Sequence, residues 1–243
     1  MRLIDYLDKG AQLGAEQPCL TMGDATLSYA EVQRISYRVG RALHASGIAP
    51  GHKVAVLSSN DATAFDCVFG ISRAAAVWCP INPRNEVSEN RQVLDAFDCE
   101  CLIFHSNYAP MVEQMRAQLP QMKLWVCLDR EQTFAPSHEQ WLAGVSDEPL
   151  SVEPIADLAM IAGTGGTTGQ PKGVMLSNGN LETMTALTLM GYPFEGRPVY
   201  LALAPLTHAA GVLCFPIMAL GGRIIVMPKP DMNDFLTLLE RHR

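Results

Sequence analysis

The sequence contains no Cys-x-x-Cys pair, no run of basic residues and no apolar stretch long enough to cross a bilayer. Its seven cysteines are odd in number, and the nearest two, Cys99 and Cys101, sit on a predicted strand. That pattern argues against a zinc site or a disulfide framework. It fits buried thiols in a reducing cytosol, so the expected location is cytoplasmic. Basic residues are sparse: 18 Lys and Arg stand against 25 Asp and Glu, for a formal charge of −7. They are scattered, which argues against nucleic acid as a partner and against a basic membrane-surface patch. The longest uncharged apolar run, Ala209–Gly222, is interrupted by Pro216 and is too short for a membrane span. Met1–Asp8 places acids inside its apolar stretch, unlike a secretory signal. Catalytic signatures are missing too. No G-x-G-x-x-G follows the first predicted strand, which weighs against a Rossmann oxidoreductase. No G-x-S-x-G nucleophile elbow occurs, and no cluster of metal-ligating side chains is expected.

What the 243 residues do contain is alternation, at a length that suits one large domain or two modest ones. Val32, Ile35, Val39 and Leu43 recur at helical spacing and predict a helix over Tyr29–Ala45, ended by Gly47. Apolar runs at Val54–Ser58, Val77–Ile81, Cys101–Phe104 and Leu124–Leu128 read as strands. Between them, Ala62–Ala75, Glu86–Phe97 and Ala109–Leu119 read as helices. This order predicts an α/β fold with a mainly parallel sheet flanked by helices on both faces. Ahead of it lie a short helix over Ile4–Leu13 and a hairpin turning at Gly23-Asp24. Later come a helix over Asn180–Met190, a strand at Leu201–Ala204, a helix over His208–Leu220, a strand at Arg223–Met227 and a helix over Met232–His242. Trp78, Trp125, Met190, Met218 and Met227 read as packing residues. Asp61, Asp66, Glu86 and Glu89 read as helix-start acids that complement the dipole.

One stretch stands apart: Ile161-Ala-Gly-Thr164-Gly165-Gly166-Thr167-Thr168-Gly169-Gln170-Pro171-Lys172-Gly173. It lies between two predicted strands, Leu158–Ala162 and Val174–Leu176. Glycines let a ligand approach the backbone closely, and successive N–H groups in such a loop can converge on an anion. Threonine hydroxyls add donors. Lys172 is the only charged side chain from Leu158 to Leu181, an isolated cation in an acidic chain. The chemistry suits phosphate. The spacing is not Walker A, because two residues separate Gly169 from Lys172 and a strand follows in place of a helix.

Residue for residue, Ile161 to Lys172 resembles the phosphate-loop signature of the adenylate-forming enzymes. That family contains acyl-CoA and aryl-CoA synthetases, luciferases and peptide-synthetase adenylation domains. Thr26-Leu-Ser-Tyr29, Gly47-Ile-Ala-Pro-Gly51, Val54-Ala-Val-Leu and Pro80-Ile-Asn-Pro83 resemble its earlier landmarks. His52 and Asn178 depart from residues common there. The resemblance implies that Thr164, Gly165, Gly166, Thr167, Thr168, Gly169 and Lys172 hold the polyphosphate of ATP, with Lys172 also catalytic. Pro205-Leu206-Thr207-His208-Ala209-Ala210-Gly211 resembles the second motif, with Thr207 in place of an aromatic residue. It implies that His208 borders the acid's carboxylate and takes part in catalysis, beside Ala209 and Gly211.

The implied reaction joins a carboxylic acid to coenzyme A through an acyl-adenylate, with ATP and Mg²⁺. The resemblance also implies two stacked sheets. Residues from about 50 to 190 would form the first layer, and about 1–45 and 195–243 part of an incomplete second one. Because the family's sequences continue for about as long again, the expectation is an N-terminal fragment, inactive by itself. Such a piece would expose apolar surface or form a homo-oligomer. A standalone nucleotide-binding or regulatory module is the alternative.

Overall fold

In the computed structural model, which describes residues 1–164, 171–207 and 209–242 apart from the side chains of Ala209 and Ala210, the chain opens on α1 (Leu3–Gly14). A hairpin of β1 (Pro18–Met22) and β2 (Ala25–Ser28) follows. Ser28 then starts α2 (Tyr29–Ala45) with a reciprocal cap: its hydroxyl accepts from the Glu31 N–H, and the Glu31 carboxylate accepts from the Ser28 N–H at 2.7 Å. Next come β3 (Lys53–Leu57), α3 (Ala62–Arg73), β4 (Val77–Pro80), α4 (Val87–Ala96), β5 (Cys99–Phe104), α5 (Ala109–Arg116) and β6 (Leu124–Cys127). A short α6 (His138–Trp141) precedes the hairpin of β7 (Leu158–Thr164) and β8 (Lys172–Ser177). The chain continues through α7 (Asn178–Gly191), β9 (Val199–Ala202), a 3-10 turn (Ala209–Leu213), α8 (Cys214–Ala219), β10 (Arg223–Val226) and α9 (Met232–Arg241).

Two sheets result. The larger has the order β6-β5-β3-β4-β7-β8 and is parallel except for β8, which runs antiparallel to β7. The smaller, β2-β1-β10-β9, unites the first hairpin with strands from the far end of the chain. The period of two along β3 explains the layering. Val54 and Val56 face a core shared with α1, α2 and α3, while Ala55 and Leu57 face one shared with α4 and α5. All four are fully buried, as expected of a strand covered on both faces. The first core also takes Leu20 and Ile224 from the smaller sheet, so α1–α3 lie between the two sheets. The Tyr29 hydroxyl donates to the Gly222 carbonyl at 2.5 Å and ties α2 to the turn before β10.

Several boundaries differ from expectation. β9 sits earlier than Leu201–Ala204, because its register with β10 pairs Val199 with Arg223 and Ala202 with Val226. One helix was expected over His208–Leu220; a 3-10 turn precedes a separate α8 instead. This split puts Pro216 in the first turn of α8, where a missing N–H leaves no helical bond unmade. Asp66 does not act as a helix-start acid. It lies inside α3 and is buried, while Asp61 is the N-cap and accepts from the Ala64 N–H at 2.9 Å. Trp78, Met218 and Met227 are buried as packing residues, but Met190 is 82% exposed.

Candidate active site

The parallel strands of the larger sheet end on one side in a cleft of about 600 Å³. Its walls come from segments far apart in sequence. β4 ends at Pro80, and the turn after it contributes Asn82, Pro83, Arg84 and Asn85. The end of β7 contributes Ala162, Gly163 and Thr164, and the start of β8 contributes Lys172. From the second sheet, the segment after β9 contributes Leu203, Ala204 and Pro205. Crevices at the carboxyl ends of parallel strands are where open α/β sheets bind ligands.

The hairpin geometry places Thr164 and Lys172 directly. They are partners across β7 and β8, and the Thr164 hydroxyl donates to the Lys172 carbonyl at 3.3 Å. Both are exposed, and Lys172 makes no ion pair among the described residues. The strands reach further into the stretch than Leu158–Ala162 and Val174–Leu176 indicate, so the lysine stands on a strand end. Gly173 is needed there: a Cβ would lie 2.5 Å from the Ile161 side chain and 2.8 Å from the Phe97 ring.

The wall after β4 is held by its own polar groups. The Arg84 N–H donates to Asn82 Oδ1 at 3.0 Å, and Asn90 Nδ2 donates to the Asn82 carbonyl at 3.0 Å. These bonds leave the Arg84 side chain exposed in the cleft with no carboxylate partner among the described residues. Asn90 Oδ1 is buried at the cleft wall without a partner, an acceptor position for a ligand or water. Sequence reasoning missed Arg84, Asn82 and Asn90. The available signal was position: Arg84 directly follows the Pro80-Ile-Asn-Pro83 landmark.

The second motif reaches the cleft through Pro205, next to Leu206 and Thr207, which are fully buried. Gly211 packs back onto this segment, since a Cβ there would lie 1.8 Å from the Leu206 carbonyl oxygen. Only glycine permits that approach. Gly211 is buried, and the same added Cβ would also come within 3.3 Å of the Phe65 ring. Ala209 begins the 3-10 turn. Gly165, Gly166, Thr167, Thr168, Gly169 and His208 lie outside the described residues, as does the side chain of Ala209.

Electrostatically the cleft is one-sided. Its described lining carries two cations, Arg84 and Lys172, and no carboxylate, in a chain of net charge −7. Hydroxyl, amide and carbonyl groups supply the other polar contacts. This donor set suits a polyanion. It does not suit a divalent metal held by the protein, which takes carboxylate oxygens. Among the described residues no group of three or more His, Cys, Asp or Glu is placed to hold a metal ion.

The chain is similar to known proteins over nearly its whole length. A feruloyl-CoA synthase of Amycolatopsis is 30% identical over 237 residues, covering 96% of this chain and 45% of that protein. A long-chain-fatty-acid–CoA ligase of Thermus thermophilus is 28% identical, covering 96% of this chain and 44% of its own length. The chain thus spans a little under half the length of these curated relatives. Among solved structures, the anthranilate CoA ligase AuaEII in complex with anthranoyl-AMP superposes with a TM-score of 0.91 at 22% identity, over all of this chain and 48% of that one. The N-terminal domain of FACL13 from Mycobacterium tuberculosis superposes at 0.89 and 24% identity, over 98% of this chain and 60% of that one. At such identities the structures show a shared fold. The family described as AMP-binding enzyme matches residues 7–243, and the chain belongs to it.

Proposed function

We propose that the cleft receives the polyphosphate of ATP, and that this chain supplies the nucleotide-handling part of an ATP-dependent ligase joining a carboxylic acid to coenzyme A. One observation carries the reading: Thr164 and Lys172 of the glycine–threonine stretch meet Arg84 and the Pro205 segment in one crevice without a carboxylate in its described lining. In such a reaction the acid's carboxylate oxygen attacks the α-phosphorus and pyrophosphate leaves with the bridging electrons. The coenzyme A thiol, losing its proton, then attacks the acyl carbon and AMP leaves. Charge builds on the departing pyrophosphate, where fixed cations are most effective. Lys172 would meet that charge, and Arg84 would add a second positive charge.

The described lining offers no carboxylate to hold Mg²⁺, so this chain would meet the ion through the nucleotide's phosphates. His208 is assigned the acid's carboxylate and Ala209 and Gly211 the neighbouring acyl wall. Relatives named for feruloyl, indoleacetate and long-chain fatty acyl substrates support an aryl or acyl acid as the class. Among the described residues no helix is long and apolar enough to cross a membrane. All seven cysteines are free and buried, which supports a reducing, cytoplasmic setting.

Calorimetric titration of the chain with Mg·ATP tests the reading. Saturable binding is expected, weakened about tenfold or more in Lys172→Ala and less in Arg84→Ala, in line with loss of charge-assisted contacts. Binding that ignores both substitutions overturns it. Binding without acyl-adenylate formation from any acid, in a longer protein that carries this chain, would favour a regulatory module over a ligase.

A further inference from the structure

Between β3 and α3 stands Asn60, 5% exposed and outside the cleft lining. Its carboxamide uses both donors and its oxygen on backbone groups in or next to the other sheet's strands. Nδ2 donates to the Ala202 carbonyl at 2.8 Å and to the Met227 carbonyl at 2.8 Å. Oδ1 accepts from the Leu206 N–H at 3.0 Å. Two carbonyls and one N–H leave the amide a single orientation. Its backbone is anchored as well, since the next residue, Asp61, caps α3.

Those partners bracket the cleft wall. Ala202 ends β9, Leu206 lies four residues on, and Leu203–Pro205 between them form neither helix nor strand. Leu203, Ala204 and Pro205 are the only part of the smaller sheet's connections that lines the cleft among the described residues. Thr207 Oγ1 adds a donor contact to the Ser58 carbonyl at 3.4 Å, on the same β3 exit. The wall is therefore set by one side chain from the opposite sheet at both of its ends.

We propose that Asn60 is a positioning residue for the nucleotide cleft: it locks the end of β9 and the start of the Pro205–Gly211 motif to the exit of β3, and so fixes the distance between the wall bearing Pro205 and the wall bearing Lys172. The inference rests on the cleft's role as the nucleotide site. Asn60 touches no reacting group. It acts through the backbone of Leu203–Leu206, and only a side chain with two donors and one acceptor satisfies this junction. Aspartate is nearly the same shape but turns two donors into an acceptor facing two carbonyls.

The test compares wild type, Asn60→Ala, Asn60→Asp and Val112→Ala, the last a buried residue on α5 that does not line the cleft. Mg·ATP affinity is measured by calorimetry, and exchange of the Leu206 amide by NMR, well below each unfolding midpoint. Asn60→Ala should weaken Mg·ATP about tenfold or more and selectively speed exchange at Leu206. Asn60→Asp should be as weak near neutral pH and approach wild type toward about pH 5, as a protonated carboxyl regains one donor. Val112→Ala should lower the unfolding midpoint with affinity unchanged. If wild type binds and both Asn60 variants match it, the positioning role is overturned. It is overturned equally if Val112→Ala weakens binding as much. Failure of wild type itself to bind overturns the nucleotide reading, and the positioning role with it.

Discussion

Asp66 illustrates what a single residue reveals only in three dimensions. Its carboxyl is enclosed within α3, and Oδ1 has no hydrogen-bond partner. Burial pushes its pKa well above the ordinary carboxylate range, and the charge of Asp61 adds to the effect. The folded pKa thus exceeds the unfolded one. The associated stability is fully present below the unfolded pKa and is lost as pH rises through the folded pKa. Asp66→Asn, which cannot ionise, should therefore gain on wild type as pH rises, and thermal melts from about pH 5 to pH 8 should show the gap widening. A constant gap would show that ionisation of this carboxyl does not matter. In sequence Asp66 was indistinguishable from an exposed acid in the first turns of a helix. Its burial follows from α3 being covered nearly all round, from Ala64 to Ile71. Lys172 was legible because its surroundings hold no other charge; Arg84 was not, because nothing local separates it from an ordinary turn cation.

At the scale of elements, the crossing of α2 and α3 depends on one missing side chain. A Cβ on Gly70 would lie 2.1 Å from Val39 Cγ1 and 2.3 Å from Val39 Cβ. The two helices can pack this closely only because the position is empty. Gly70→Ala should destabilise by about 1–3 kcal/mol through overpacking. Val39→Gly, which removes both of those atoms, should couple favourably with it, as a double-mutant cycle by denaturant unfolding would show. Additive losses would mean that the helices adjust elsewhere. Helix positions such as α2 were readable from periodicity, because one face must be buried whatever lies opposite. The end of β9 and the division before α8 were not. They follow from pairing with β10 and from the contact of Gly211 with Leu206, both long-range in origin.

For the whole molecule, the unevenness of the surface is informative. Most of the exposed large apolar side chains lie from Val174 onward, including Met175 at 66%, Leu187 at 61% and Met232 at 69% exposed. β8 and β9 are edge strands in their respective sheets, and Val174 and Val199 are exposed on them. Unpaired edges beside apolar surface favour association. Light scattering should show concentration-dependent self-association of this chain, reduced by Met175→Lys and Met190→Lys. A monomer at all concentrations would contradict this.

The sequence by itself determined the alternation of strand and helix, the α/β class and the anion-suited character of the stretch ending at Lys172. These depend on local periodicity, glycine content and isolated charge, which need no partner to be expressed. Only the tertiary structure decided which segments share the cleft. Arg84, Thr164, Lys172 and Pro205 meet there because parallel strands carry their connections to one end of the sheet, and because Asn60 holds the second sheet against the first. Contacts between residues more than a hundred positions apart have no local signature, so their placement belongs to the fold.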